Sequence, residues 1–269
     1  MIRTDEYMSE KSIKIAISGK GGVGKTTLSS LLCYLYARDG QRVLAVDADP
    51  DANLGTALGF PPELLAKLTP ISEERKLIKE RTGAEPGTIG AIYSLNPQVE
   101  DIPDTYVAEH RGIKLLRMGS ITQGGTGCAC PENTLLKSLL DHIVLERNEI
   151  AILDMEAGLE HFGRGTARGV DAFIVVVEPG RRSIETAHAV VKLANDLGVK
   201  NVYAVVNKVH GGQIDEIEQR INFLPILGHF PYDPVVVEAD FYGKNLFDLS
   251  NVFVQEAEKI KEKISSLLR

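Results

Sequence analysis

A glycine-rich segment near the start of the chain has the residue types and spacing of a phosphate-binding loop, or P-loop. Residues 19–27 read Gly-Lys-Gly-Gly-Val-Gly-Lys-Thr-Thr and fit the pattern G-x-x-x-x-G-K-[S/T]. Glycines let successive backbone N–H groups converge on phosphate oxygens, and a following helix start adds positive potential. The Lys25 ammonium can reach the β- and γ-phosphates, and the Thr26 hydroxyl can bind Mg²⁺. The predicted nucleotide-binding residues of this loop are Gly21, Gly22, Val23, Gly24, Lys25, Thr26 and Thr27.

Acidic residues follow two predicted strands and add to this site. The P-loop itself lies between a predicted strand, Ile13–Ser18, and a helical run, Leu28–Asp39, which is the context that the motif requires. Asp47 and Asp49 end a second apolar run, and Asp154 ends a third. Because ligands bind at the carboxyl edge of open parallel sheets, these carboxylates are expected beside the loop.

A Cys-x-Cys motif precedes another helical run. Cys128 and Cys130 come just before Pro131, which suits the first turn of a helix over the apolar-periodic run Leu135–Leu145. A helix N-terminus lowers thiol pKa values, and two thiolates at this spacing can chelate one soft or borderline ion. Structural zinc normally has four ligands, so a two-fold dimer that apposes two such loops would supply a Cys₄ set suited to zinc or, if planar, nickel. A redox pair and two buried small residues remain open alternatives, and Cys33 is predicted to pack in the core.

The elements that must position these residues alternate between strands and helices. Several predicted strands are apolar almost throughout, as expected when both faces of a sheet are covered. A helix is predicted over Ser183–Gly198, with Gly198 as its stop. This alternation predicts an α/β fold with a doubly wound, mostly parallel sheet in a single domain. The predicted strands are Ile13–Ser18, Val43–Val46, Ala151–Leu153, Ala172–Val177, Val202–Val206 and Pro225–Phe230.

Two regions depart from this alternation, and one further helix is predicted. Residues 1–12 are expected to be an N-terminal extension before a domain over residues 13–269. Residues 54–113 carry several prolines and are predicted to hold helices and loops over one end of the sheet. An apolar stripe through Phe253, Ala257, Ile260, Ile264 and Leu267 predicts a C-terminal helix that packs on the core.

Composition excludes several functional classes. The 269 residues carry a formal charge of −7, which is unfavourable for non-specific binding to nucleic acid or to anionic membranes. Three cysteines cannot form a disulfide framework and predict a reducing, cytoplasmic compartment. We find neither an apolar run of transmembrane length nor the apolar core of a secretory signal, so the expected partners include no membrane and no nucleic acid.

Lys20, directly after the first glycine, makes the P-loop resemble the deviant Walker A loop of the MinD/ParA/nitrogenase-iron-protein group of ATPases. The resemblance implies that Lys20 reaches across a dimer interface to the partner's nucleotide. It also implies that Asp49 orients the attacking water, so that Lys20, Lys25 and Asp49 form the catalytic set. A solvated loop charge is the alternative for Lys20.

The same resemblance implies the remaining parts of a nucleotide site. Asp47 would bind Mg²⁺ through water beside Thr26, Asp154 would be a further magnesium partner, and the Gly158 N–H of switch II would sense the γ-phosphate. Val209-His210 after Asn207-Lys208 does not complete the Asn-Lys-x-Asp motif of guanine readers, which favours ATP over GTP. The expected contacts around adenine are Asn207, Lys208, Pro231, Tyr232 and Asp233.

The Cys-x-Cys motif in this position narrows the resemblance to the CooC-type nickel-insertion ATPases of carbon monoxide dehydrogenase maturation, with their AcsF relatives of acetyl-CoA synthase maturation. The similarity extends over nearly the whole chain except the first dozen residues. It implies a homodimer that forms on ATP binding and holds Ni²⁺, or Zn²⁺, through Cys128 and Cys130 of both subunits. Carbon monoxide dehydrogenase or acetyl-CoA synthase would be the client.

Two other functions use the same ATPase motifs. A MinD/ParA-like positioning ATPase would bind membrane or DNA, but it has no use for Cys-x-Cys, and the C-terminal helix mixes acidic with basic charge. An ATPase that carries an iron–sulfur cluster across its dimer would also need four cysteines. The cluster cysteine that the nitrogenase iron protein has after switch II has no counterpart between Asp154 and Gly180.

Overall fold

A computed structural model of the chain describes residues 12–88, 92–119, 130–156 and 164–268, and it shows one sheet with helices on both faces. The strands are β1 Ile13–Ser18, β2 Val43–Ala48, β3 Ala108–His110, β4 Ile113–Arg117, β5 Ile150–Met155, β6 Ala172–Val177, β7 Val202–Val209 and β8 Ile226–Pro231. The helices are α1 Lys25–Arg38, α2 Leu54–Ala57, α3 Pro62–Leu65, α4 Arg75–Thr82, α5 Ile102–Thr105, α6 Pro131–Leu145, α7 Arg164–Gly169, α8 Arg181–Leu197, α9 Ile214–Arg220, α10 Val235–Phe241, α11 Leu246–Leu249 and α12 Asn251–Leu267.

The strand order confirms the predicted doubly wound α/β fold. The described strands form an eight-stranded sheet in the order β3-β4-β2-β5-β1-β6-β7-β8. Every neighbouring pair is parallel except β3 with β4. The chain moves outward from β1 in both directions, so the loops after β1, β2, β5 and β6 meet at one edge of the sheet, where such folds bind ligands.

Six of the eight strands were predicted, and two were missed. Ile13–Ser18 and Ala172–Val177 have the predicted bounds, whereas the other four begin or end up to three residues away from the prediction. The strand Ala108–His110 is too short for a period of two to be recognised, so the expectation of only helices and loops in residues 54–113 is wrong there. The strand Ile113–Arg117 was missed because Lys114 and Arg117 interrupt its apolar residues.

Apolar residues form one core on each face of the sheet. One core includes residues of α6, α7 and α8, and the other includes residues of α1 and α12. Since both faces are covered, β1, β5 and β6 are buried throughout, which explains their nearly continuous apolar sequence. Cys33 in α1 is fully buried, which confirms its predicted role in core packing.

The ends of the helices follow local sequence signals. Gly198 caps α8 with a left-handed φ of 81°, as predicted for its stop. Pro131 begins α6, again as predicted. In α12 the predicted stripe is buried at Phe253, Ala257, Ile260 and Ile264, but the prediction is wrong for Leu267, which is 53% exposed in the last turn.

The irregular region contributes short helices on the β4 side of the sheet. There α2 contacts α1 and β2, and α4 contacts α6. Among the described helices, none combines the length and apolar character needed to cross a bilayer. Of the predicted N-terminal extension, residues 1–11 lie outside the described residues.

Candidate functional site

The P-loop leaves β1 and turns into α1 through two glycines that no other residue can replace without strain. Gly19 has a φ of 151°, and a Cβ at this position would lie 2.5 Å from the Val176 carbonyl oxygen in β6. Gly24 caps α1 with a φ of 100°, and a Cβ there would lie within 3.0 Å of the Asn207 amide nitrogen. The glycines therefore permit both the left-handed backbone and the close approach of β6 and β7 behind the loop.

Lys25, which was predicted to be catalytic, lies at the start of α1 and forms an ion pair with Asp49, the predicted water-orienting carboxylate. Lys25 is 5% exposed, and its Nζ lies 3.4 Å from Asp49 Oδ2. Both side chains line a cleft of about 240 Å³ together with the loop backbone. Asp49 therefore provides a counter-charge to the buried Lys25 ammonium. The cleft is lined by Gly21, Gly22, Gly24, Lys25, Thr26, Asp49, Asp51, Asn53 and Glu156.

Asp47 and Asp154 are buried neighbours at the carboxyl edge of the sheet. They are register partners between β2 and β5, and each is 1% exposed. Burial, with a smaller effect of the Asp154 carboxylate, raises the pKa of Asp47 to about 7. Burial also raises the pKa of Asp154 to about 6, and the nearby Thr26 hydroxyl and Lys25 ammonium limit that rise.

This pair has the properties of a cation site. The Leu54 N–H donates to Asp47 Oδ2 at 3.2 Å. Asp47 Oδ1 and both carboxylate oxygens of Asp154 are buried, and within the described ranges no hydrogen bond of standard geometry reaches them, although the Thr26 and Ser29 hydroxyls lie close to Asp154. Unpaired buried oxygens are costly unless they are protonated or face a cation. The donor set, two carboxylates beside the Thr26 hydroxyl, fits Mg²⁺, which binds through few protein oxygens plus waters and substrate phosphates.

Asn207 and Lys208 lie inside β7 rather than after it, at a point where the register with β8 shifts between Val206 and Val209. Lys208 adopts a left-handed φ of 58° there, and its Nζ donates to the Gly22 carbonyl at 2.7 Å. Asn207 Nδ2 donates to the Val23 carbonyl at 2.8 Å. The two side chains predicted to contact adenine thus hold two consecutive P-loop carbonyls.

A second cleft of about 290 Å³ lies beside these residues. Tyr232, which follows the last residue of β8, Pro231, is half exposed, and its ring stacks on His210 with centroids 4.7 Å apart. The Asp233 side chain bonds to the nearby backbone: its Oδ1 accepts a hydrogen bond from the Val235 N–H at 2.9 Å. The cleft is lined by Glu178, Pro179, Gly180, Lys208, His210, Gln213 and Tyr232.

Sequence reasoning missed Glu178 and His210 in this cleft. Glu178 directly follows β6, and its Oε2 accepts a hydrogen bond from Lys208 Nζ at 3.0 Å in an ion pair. Its position at the carboxyl edge of a parallel strand is the signal that identifies it as a site residue. The stack of His210 on Tyr232 depends on contacts between β7 and β8 that sequence alone does not predict.

The thiol motif begins a different helix. Cys130 is the N-cap residue of α6 and is partly exposed, with Pro131 at the first helical position and Glu132 in the first turn. The Glu132 carboxylate accepts a hydrogen bond from the Gly87 N–H at 3.3 Å, and α6 also contacts α4. Cys128 and Gly158 lie outside the described residues. Within the described ranges, no group of three or more His, Cys, Asp or Glu side chains is arranged to hold a metal ion.

Lys20 is partly exposed in the first turn of the P-loop. Its backbone carbonyl accepts a hydrogen bond from the Val23 N–H at 3.4 Å. The next two residues, Gly21 and Gly22, are exposed.

Comparisons with known proteins agree with this geometry. The CobQ/CobB/MinD/ParA nucleotide binding domain matches residues 14–247. The carbon monoxide dehydrogenase accessory protein CooC of Rhodospirillum rubrum is 46% identical over 88% of this chain and 90% of its own length. An uncharacterized ATP-binding protein of Methanocaldococcus jannaschii is 45% identical over 92% of this chain and 96% of its own length. The MinD cell division protein of Aquifex aeolicus, 20% identical, matches the fold with a TM-score of 0.66 over 95% of this chain and 97% of that one.

Proposed function

We propose that this chain, which belongs to the CobQ/CobB/MinD/ParA family of nucleotide-binding domains and is an ATPase, uses ATP to support the maturation of carbon monoxide dehydrogenase. The observation that carries the proposal is the 46% identity to CooC over most of both chains. Acetyl-CoA synthase remains the second client class. Because the site would need reduced thiols, the proposal includes a cytoplasmic location.

In the finer proposal, nickel is the cargo and the Cys-x-Cys motif binds it. Cys130 supports this role because it is partly exposed at the N-cap of α6, where the helix dipole stabilises a thiolate. One chain offers only Cys128 and Cys130, so a complete Cys₄ site requires two chains. A homodimer that forms on ATP binding would supply this set, with Lys20 of each subunit reaching the nucleotide of the other.

ATP would bind in the cleft between the P-loop and the acidic residues. The Lys25 ammonium would exchange its Asp49 partner for β- and γ-phosphate oxygens, which frees the Asp49 carboxylate to orient the attacking water. Thr26, Asp47 and Asp154 would hold Mg²⁺, which when bound neutralises phosphate charge. Gly158 would sense the γ-phosphate and report hydrolysis to the rest of the subunit.

The second cleft would take the adenine base. The rings of Tyr232 and His210 stack on each other at the wall of this cleft, and a planar adenine base could stack on them in turn. Pro231 and Asp233 would shape the cover of the base, and Lys208 would contribute mainly by holding the P-loop. The proposal thus assigns Asn207 and Lys208 to loop support in addition to base contact.

Metal binding by matched cysteine variants tests the proposal. We expect the wild-type protein with Mg²⁺ and a non-hydrolysable ATP analogue to form a dimer that binds one Ni²⁺ per two chains. Cys128→Ser and Cys130→Ser should each abolish this binding, whereas Cys33→Ala, a change of a fully buried thiol, should keep it. Calorimetry and metal analysis of the isolated dimer give the stoichiometry.

Unchanged Ni²⁺ and Zn²⁺ affinity in the Cys128→Ser/Cys130→Ser double variant would refute the metal assignment. A brown cluster absorption in the purified protein, lost on chelation, would instead indicate an iron–sulfur carrier. ATP-dependent co-sedimentation with liposomes or DNA would indicate a positioning ATPase. The activation of nickel-free carbon monoxide dehydrogenase by protein, ATP and Ni²⁺ then tests the client.

A further inference from the structure

Helix α6 begins at the candidate metal ligand Cys130 and extends to α7, the helix that comes after β5 in the chain. Cys130 caps its N-terminus, and Asp141 lies eleven residues further along, about 16 Å at the rise of an α-helix. The far end of α6 packs on α7. A displacement of α7 would therefore reach Cys130 through one continuous helix.

Two contacts fix α7 to α6. The Thr166 hydroxyl of α7 donates a hydrogen bond to Asp141 Oδ1, and Thr166 is 2% exposed. Gly169 approaches α6 so closely that a Cβ would lie 2.5 Å from Leu145 Cδ2 and 2.8 Å from Val144 Cγ1. One polar contact and one tight packing contact thus hold the two helices at a defined separation.

The other side of α7 is attached to the nucleotide site by the chain itself. Residues 156–163 join it to β5, which carries Asp154 into the acidic pair described above. At its other end only Val170 and Asp171 separate α7 from β6, whose carbonyl Val176 O abuts Gly19 of the P-loop. The chain therefore connects α7 to the two strands that flank β1.

We infer that Thr166 and Asp141 are positioning residues that couple the nucleotide site to the metal ligand Cys130. The inference rests on the proposed function and names the contact through which nucleotide state would alter metal affinity. The Thr166 hydroxyl is buried and bonds to a neighbouring helix. A hydrogen bond requires a defined distance and angle, whereas apolar packing alone does not. Loss of the hydroxyl would leave only the packing at Gly169 of these two contacts, and α6 and α7 would be held less firmly relative to each other.

The coupling ratio measures this role. We define it as the Kd for Ni²⁺ without nucleotide divided by the Kd with Mg²⁺ and a non-hydrolysable ATP analogue, or the inverse if larger. We expect a ratio of at least about fivefold in the wild type and below about twofold in Thr166→Val, which keeps the side-chain shape but removes the donor. Asp141→Asn keeps an acceptor oxygen and should retain most of the coupling.

A matched control separates this role from a general loss of stability. Thr186→Val removes a helical hydroxyl that donates within its own helix, to the Arg182 carbonyl in α8, and should keep the wild-type ratio. ATP affinity should remain within about twofold of wild type in all three variants, because none of them lines the nucleotide cleft. A wild-type coupling ratio in Thr166→Val would overturn the inference.

A thiol assay tests the same coupling without metal. In a Cys128→Ser background, iodoacetamide should react with Cys130 at a rate that depends on the ATP analogue, because Cys33 is fully buried and burial raises its pKa. Adding Thr166→Val should remove that dependence, and its persistence would overturn the inference. If Cys130→Ser leaves Ni²⁺ binding intact while the thiol rate responds to nucleotide through Thr166, the metal function fails and the coupling stands. A rate that ignores nucleotide even with Thr166 present overturns the coupling.

Discussion

Replacing Gly24 with alanine should damage the P-loop, whereas the same change at Gly21 should not. Both glycines line the P-loop cleft. Gly24 has a φ of 100°, and its added Cβ would meet the buried Asn207 amide. At Gly21 an added Cβ meets no atom within 4 Å, and the backbone there is not left-handed. The pair thus compares one substitution at two points of one loop.

The expected cost at Gly24 has two sources. A positive φ costs an alanine about 1–2 kcal/mol. Moving the Asn207 side chain would also break its 2.8 Å hydrogen bond to the Val23 carbonyl, and an unsatisfied buried group costs about 1–3 kcal/mol. Together they lower the free energy of unfolding by about 2–5 kcal/mol, or about 4–20 °C in Tm for a chain of this size.

Thermal and urea unfolding of the nucleotide-free variants measure this difference. We expect Gly24→Ala to unfold well below wild type and Gly21→Ala to unfold within about 2 °C of it. Titration with a fluorescent ATP analogue should show weaker binding in Gly24→Ala, because the backbone N–H groups that follow it begin α1. Equal Tm values for the two variants would refute the reasoning about the close approach of β7.

Three other changes test the carboxylates and the loop support. Asp49→Ala should lower the rate of phosphate release about 100-fold. ATP should bind up to about fivefold more tightly to this variant, because Lys25 no longer has to leave its ion pair. An unchanged turnover rate would exclude Asp49 from catalysis. Burial raises the pKa values of Asp47 and Asp154 to about 7 and 6, so the folded protein keeps protons that the unfolded chain loses above about pH 4. The free energy of unfolding therefore falls as the pH rises from about 4 to 7 and then levels off. Urea unfolding in EDTA should show a steeper loss between about pH 4 and 7 in wild type than in Asp47→Asn, and parallel profiles would contradict the burial argument. Lys208→Met should weaken ATP binding about tenfold through the lost contact with the loop, whereas Lys208→Arg should bind more tightly than Lys208→Met; equal affinities of the two variants would exclude a role for the cation.

Sequence patterns predicted those parts of the fold and the site that are formed by residues close together in the chain. The P-loop follows from nine consecutive residues, and the start of α6 follows from Pro131 next to an apolar-periodic run. The fold follows from buried strands such as Ile13–Ser18, whose composition requires a covered sheet. In each case the residues that form the structure are neighbours in sequence.

The contacts that sequence did not predict join residues far apart in the chain. Lys208 reaches the Gly22 carbonyl across 186 positions, and it does so only because a register shift turns the backbone to a φ of 58°. The ion pair of Lys25 with Asp49 depends on how far the turn after β2 folds back over the loop. Sequence patterns do not indicate such register shifts or turn geometries, so these contacts could be identified only from the structure.

The support of the P-loop from behind has a consequence for how nucleotide binding is driven. Asn207 and Lys208 hold two of its carbonyls through hydrogen bonds within the protein, and these bonds do not depend on a phosphate to order the loop. Ordering a flexible loop would cost about 1–2 kcal/mol of backbone entropy per residue. A loop that is ordered before binding avoids this cost, so more of the free energy of its contacts with phosphate contributes to affinity.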